Sequence, residues 1–352
     1  MVLAGGGFRF GYYLGMHAAA IDAGQEPDLL LATCGGAVAG AIIAGLPDTA
    51  SRKEWLGSRR MYEFLGDLRS SDRATPASAL FNVARRRLNG GRAAHLPDLF
   101  NDYLFEIPPV LPLPPSGGAH GPALAIIGGK LLFGPHETGQ PRRGRPIYGV
   151  TLFCDGRTAA LADGLPSAIG TDGWTDAVTP DLLVDTTMPA ADAARISIAD
   201  MVYFRCQTAR GADYTGGVID LFPVELARGL ARHVTMEMKE AYDELLAIPA
   251  LRSAFGFDGN RRLRYVHAQP VDVWVDTSDV RRALQGCGVR KRVDWRRNRV
   301  RLVAPASYER YLADVDALWH YGYQRAREAY ALAAQGRRPA MRNSTRLNEA
   351  AR

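Results

Sequence analysis

Leu29-Leu30-Leu31-Ala32-Thr33-Cys34-Gly35-Gly36-Ala37 decides how this 352-residue chain is read. A short apolar run closes on a cysteine and two glycines, and small residues then continue to Ala44. Such a run reads as a buried strand, and the glycines as a sharp turn opening a helix. A side chain standing on such a turn needs small neighbours, because the backbone passes close to itself. Ala32, Gly35 and Gly36 meet that need. A thiol there lies at a helix N-terminus, where free N–H groups favour the thiolate, so the spacing predicts a reactive Cys34 of lowered pKa. The alternative is that Cys34 fills a small apolar site.

Upstream, a first strand, Met1 to Ala4, ends in Gly5-Gly6-Gly7-Phe8-Arg9 and opens another helix. Two strand–turn–helix units in succession predict a βαβα unit, hence a parallel sheet covered by helices on both faces. Three glycines let backbone N–H groups converge on one spot, with the positive end of the next helix behind them. A dinucleotide fingerprint fits poorly: Phe10 stands where its third glycine belongs, and Thr33 rather than an acid closes the second strand.

Together these turns resemble the patatin-like phospholipase family, in which the elbow reads Gly-x-Ser-x-Gly and the upstream loop Gly-Gly-Gly-x-Arg/Lys-Gly. The resemblance covers residues 1–46 and about 147–246. It implies an α/β three-layer sandwich with a mainly parallel central sheet flanked by helices, a lipid or acyl ester substrate, and neither cofactor nor metal. It puts Cys34 in the position of the serine nucleophile, and Gly5, Gly6, Gly7, Arg9 and Gly35 at the oxyanion and substrate site. The family's second catalytic residue is an aspartate in Asp-Gly-Gly or Asp-Gly-Ala, ahead of an Asn-x-Pro turn. Here Thr215-Gly216-Gly217 precedes Asp220-Leu221-Phe222-Pro223, so Thr215 stands in the aspartate position. A threonine hydroxyl cannot take a proton near neutral pH. Asp213 shares a strand face with Thr215 but lies roughly 6 to 7 Å further along, a candidate base only if a bulge shifts it. Ala193 to Asp200 resembles the family's Ala-Ser-x-Ala-x-Pro helix, with Met201 at the proline position.

Two functions follow from the altered pair. One is a lipid acyl hydrolase or acyltransferase with a thiol nucleophile, since cysteine needs less help from a base than serine does. The other is a catalytically degraded relative that binds a lipid, an acyl group or a partner protein. None of the seven histidines has a sequence neighbour that marks it as a base.

The rest of the sequence bounds these readings. Hydrophobic content of 47% and charged content of 23% are those of a globular protein. One domain is expected over 1–336, with an irregular insertion at about 51–146 and a mobile tail at 337–352. Within the insertion, Leu80 to Leu88 reads as a helix capped by Asn89-Gly90-Gly91, and Ala123 to Phe133 as a hairpin. Further on come helices at Ala190–Tyr203 and Val224–Leu246, a strand at Leu263–Val275, a basic hairpin at Val289–Val303 and a helix at Ala306–Gln335. No apolar run is long enough to span a membrane, no secretory leader is read, and scattered cysteines suit a reducing cytoplasm. Arg290 to Arg301 holds seven basic residues and one acid. That cluster suits peripheral contact with anionic membrane, or cations guarding a strand edge. Nucleic acid, with Trp295 stacking, is the less favoured partner.

Overall fold

The computed structural model describes residues 1–88, 93–115, 121–171 and 173–343. The opening βαβα unit comprises β1 (Val2–Ala4), α1 (Gly11–Asp22), β2 (Leu29–Thr33) and α2 (Gly35–Gly45). Next come α3 (Thr49–Leu56), α4 (Arg59–Gly66), β3 (Arg69–Ser70), α5 (Pro76–Leu88) and β4 (Phe105–Glu106). The middle of the chain forms β5 (Ala123–Leu131), β6 (Tyr148–Phe153), α6 (Gly156–Ala162), α7 (Ala168–Thr171), β7 (Leu183–Asp185), α8 (Ala190–Ser197), β8 (Gln207–Ala209) and β9 (Ala212–Thr215). It continues through α9 (Val224–Leu230), β10 (Thr235–Met238), α10 (Ala247–Phe255), α11 (Gly259–Ala268), β11 (Val273–Asp276) and α12 (Val280–Ala283). A hairpin, β12 (Arg290–Asp294) and β13 (Arg299–Val303), precedes the long α13 (Tyr308–Ala333).

The central sheet runs β1-β2-β5-β6-β7, with β9 joined to β5 and β8 to β9. Pairing is parallel across β1, β2 and β5 and between β6 and β7, and antiparallel where β5 meets β6 and β9. Strand residues alternate between two cores, as the period of two requires. Leu3, Leu30, Ala32 and Ile126 pack under α1, α2, α8 and α13. Val2, Leu31, Ala125 and Ile127 pack with α6, α9, α10 and α11 on the other face. The result is an α/β sandwich whose sheet is parallel through β1, β2 and β5 and mixed beyond them.

The position of β9 decides what stands beside the elbow. β2 ends at Thr33, opposite Ile127 of β5, and β9 takes over the same edge of β5 at Gly129, opposite Thr215. The end of β9 therefore arrives next to the turn after β2.

Several local expectations are corrected. Residues 123–133 are not a hairpin: β5 is one central strand, and its mid-run glycines admit Ile196 and Thr215, either of which a Cβ would meet within 3 Å. The helix expected to Leu246 stops at Leu230 because β10 pairs in parallel with β11, and α11 occupies the first part of the strand expected at 263–275, which begins only at Val273 as β11. The helix expected to Tyr203 stops at Ser197. The glycine cap at 89–91 lies outside the described residues. The first part of the expected mobile tail is held to the body: Arg338 donates to the His267 carbonyl at 2.7 Å, and the Asn343 N–H to Ser278 Oγ at 3.0 Å. Residues 344–352 lie outside the described residues.

Candidate active site

Cys34 sits between β2 and α2 with φ +48° and ψ −127°, a left-handed backbone that non-glycine residues rarely adopt. Holding it costs on the order of 1–3 kcal/mol, so its surroundings must over-determine it. The Cys34 N–H donates to Ser197 Oγ at 2.8 Å, and that hydroxyl donates to the Ile127 carbonyl at 2.6 Å. One serine at the end of α8 thus fastens the strained turn to the central strand. Thr33 adds a second tie, its hydroxyl donating to the Leu221 carbonyl at 3.1 Å.

The glycine loop packs directly on this turn. Gly5, Gly6 and Gly7 have φ of +83°, +93° and +53°, and the Gly5 N–H donates to the Thr33 carbonyl at 3.1 Å. A Cβ on Gly35 would lie 2.2 Å from the Gly7 carbonyl oxygen, so only glycine lets loop and elbow touch. The backbone N–H groups of Gly7 and Gly35 lie beside the Cys34 thiol and work to lower its pKa. Two amides converging on one point are what an oxyanion site requires. Arg9 begins α1's approach from the loop, and its charge acts on the Cys287 thiol.

The acid partner of Cys34 is Asp200, which sequence reasoning passed over. Cys34 Sγ donates to Asp200 Oδ2 at 2.7 Å. Asp200 sits just past α8, in the turn where the Gly216 N–H donates to the Ala199 carbonyl at 2.8 Å. A Cβ on Gly216 would lie 2.3 Å from Asp200 Oδ1, and one on Gly217 would lie 2.7 Å from Ser197 Oγ and 2.9 Å from the Cys34 nitrogen. The glycine pair after β9 therefore lets that turn close over both Asp200 and the elbow. Asp200 Oδ1 is shut from solvent and has no hydrogen-bond partner among the described residues.

Burial decides the electrostatics. It pushes the Asp200 carboxyl up to about 7, against the opposing pull of the Cys34 thiol and the Val218 N–H. Burial also pushes the Cys34 thiol well above its ordinary value, and the neighbouring Asp200 charge pushes it further. This reverses the lowered pKa expected from the helix N-terminus: the two amides act in that direction but are outweighed. Near neutral pH the thiol keeps its proton while the Asp200 carboxyl is about half ionised, and its ionised form is able to take that proton.

The other predicted residues lie elsewhere. Thr215 is buried with its hydroxyl on the Ala199 carbonyl at 3.4 Å, bracing β9 against the Asp200 turn. Asp213 accepts from Thr208 Oγ1 at 2.6 Å across the β8–β9 pair and is not the acid at Cys34. Tyr242, also missed, is half-buried near the pair. Burial, followed by the Asp200 and Asp220 carboxylates, raises its pKa. Asp220, in the turn after Gly217, is held by Arg262 at 3.3 Å, which also grips Glu225 at 2.5 Å. Only one signal in the sequence pointed to Asp200: it is the lone acid in the Ile196–Met201 stretch, where Ser197 is the other polar residue.

A family model described as patatin-like phospholipase matches residues 1–228. The chain belongs to the patatin-like phospholipase family. No curated protein sequence matches it. The matched region takes in β1 to β9, and with them Cys34, the Gly5–Gly7 loop and Asp200. The patatin-like region therefore contains the whole pair, while Tyr242, β10, β11 and the basic hairpin lie beyond the match. Membership makes lipid acyl esters the substrate class of the family. No helix of the described residues is long and apolar enough to cross a membrane.

Proposed function

We propose that this protein is a lipid acyl hydrolase or acyltransferase in which Cys34 is the nucleophile and Asp200 its general base. The 2.7 Å contact between Sγ and Oδ2 carries the reading, because it supplies the proton acceptor that Thr215 cannot be. As sulfur bonds the acyl carbon, the thiol proton passes to Asp200 and the carbonyl electron pair becomes an oxyanion held by the Gly7 and Gly35 N–H groups. Collapse breaks the bond to the leaving group, which takes the proton back from Asp200 and leaves a thioester on Cys34. Water or an acceptor alcohol, activated by the same carboxylate, then releases the acyl chain. A thiolate leaves more readily than an alkoxide, so a first tetrahedral adduct partitions forward best when the substrate is itself a thioester or an activated ester.

A second reading is favoured by Cys34 being only 7% exposed and by both family catalytic positions being changed. In it the site binds an acyl chain without turnover. Acyl-CoA and p-nitrophenyl acyl esters, assayed with the native chain and with Cys34→Ala and Cys34→Ser, separate the two. Catalysis predicts a burst equal to the enzyme concentration, a mass shift of one acyl group on Cys34, and loss of both in Cys34→Ala. Full turnover by Cys34→Ala refutes the mechanism. Hydrolysis by Cys34→Ser where the native chain has none establishes the second reading.

A further inference from the structure

α5 is turned inside out. Its half-buried side carries Ser78, Ala79, Asn82, Val83 and Arg86, and both Asn82 and Arg86 hold Asp102 at 2.8 Å. Its exposed side carries Ala77, Leu80, Phe81 and Ala84 at helical spacing, with Leu80 76% and Phe81 68% exposed. Exposed Arg85 and Arg87 follow on the next turn. A helix lying on a protein in water buries its apolar stripe, so this one presents its stripe to something other than water.

The β12–β13 hairpin is joined to the start of α5. The Val300 N–H donates to the Ala74 carbonyl at 2.6 Å, two residues before the helix, and Ser70 Oγ donates to the Val300 carbonyl at 2.8 Å. Arg290, Lys291, Arg292, Arg296, Arg297 and Arg301 are exposed along the hairpin. Trp295, at the turn, is 78% exposed beside a hollow of about 490 Å³ that Arg292, Arg296 and Arg301 also line. Asp294 answers one of these cations, lying 3.6 Å from Arg301. Cations guarding a strand edge account for the charge but for neither Trp295 nor the apolar side of α5. A third piece follows on α10, against which α5 packs: Leu245 and Leu246, just before it, are also exposed, three and four residues beyond Tyr242.

We propose that the β12–β13 hairpin, the outer side of α5 and Leu245–Leu246 form one surface that docks on an anionic lipid bilayer. Arginines meet the phosphates, Trp295 sits at headgroup level, and Leu80 and Phe81 enter the acyl boundary. The aliphatic groups favour lipid over nucleic acid, which offers them no apolar depth. The inference rests on the family's lipid substrates but not on the chemistry of Cys34.

Co-sedimentation with vesicles of 30% phosphatidylglycerol in phosphatidylcholine, against pure phosphatidylcholine, tests it at two salt concentrations. Binding to the anionic vesicles is expected to weaken about 100-fold in Arg292→Glu/Arg296→Glu/Arg297→Glu, at roughly fivefold per lost attraction. Leu80→Ser/Phe81→Ser should lose at least tenfold with its salt dependence unchanged, and Trp295→Phe should lose the vesicle-induced blue shift in emission. All variants are checked for native circular dichroism, and Cys34→Ala should bind vesicles as the native chain does, which keeps a failure of catalysis distinct from a failure of docking. Folded variants that bind like the native chain overturn the surface. Equal binding to neutral vesicles, or tighter binding to duplex DNA than to anionic vesicles, overturns the assigned partner.

Discussion

Asp200→Asn is expected to make the fold more stable at neutral pH while removing turnover. Burial holds the Asp200 carboxyl at about 7, against an ordinary value of 3.8. Below about pH 3 the group is largely protonated in both folded and unfolded chains, and its stabilising contribution is complete. As pH rises toward 7 the unfolded chain releases the proton while the folded one still holds it, so stability falls by about 1.4 kcal/mol per pH unit. The total loss is about 4 kcal/mol, reached once pH passes the folded value. Asparagine cannot ionise and escapes this loss. The amide must still find a place beside the Val218 N–H, which removes about 1 kcal/mol of the gain. Urea unfolding from pH 4.5 to 8 should therefore show a native-minus-variant gap near zero at the acid end, widening to about 3 kcal/mol in favour of the variant. The thiol gives a second readout, because the Asp200 charge and hydrogen bond both raise the Cys34 pKa. Iodoacetamide should label Cys34 faster at pH 8 in the variant, while kcat/KM falls by about 10² to 10⁴. A stability difference that does not change with pH, or labelling and turnover that fall together, would refute the reasoning.

Thr215→Asp, which restores the family residue, is expected to fail. The new carboxylate would face the Ala199 carbonyl in a site only 1% exposed, destabilising the fold by about 2–4 kcal/mol at pH 7 without added ester hydrolysis. Ser197→Ala leaves the Cys34 N–H and the Ile127 carbonyl without their shared partner. A loss of about 1–3 kcal/mol in urea unfolding should follow, together with a drop in acylation rate as the strained turn relaxes.

What could be read from the sequence was local. β1, β2 and the two glycine turns announce themselves because an apolar run followed by small residues has few other solutions. The basic hairpin and α13 were equally plain, since each carries its own periodicity and its own ends. β5 was not, because Gly128-Gly129 resembles a turn until Ile196 and Thr215 are seen packed where side chains would have stood. The sign of the Cys34 pKa shift was hidden for a similar reason. A helix N-terminus can be read from the sequence, whereas the burial that outweighs it depends on what covers the turn. Asp200 is 166 residues from Cys34, and their meeting depends on β9 taking the edge of β5 that β2 leaves.

That handover also explains how a carboxylate could reach the elbow without occupying the family's aspartate position. The end of α8 and the turn after β9 form two walls around the same strained backbone, and Gly216 and Gly217 are what bring the walls together. The two walls aim their side chains differently. On β9, at Thr215, the side chain is aimed at the Ala199 carbonyl, and a neutral hydroxyl suits that place. On the α8 wall, one residue beyond Ala199, Asp200 meets the sulfur. A buried carboxyl whose pKa lies near 7 and one of whose oxygens has no partner among the described residues destabilises the fold at neutral pH. Its placement against the one residue held in a strained elbow is therefore better explained by chemistry than by packing, which an asparagine would serve with less strain on stability.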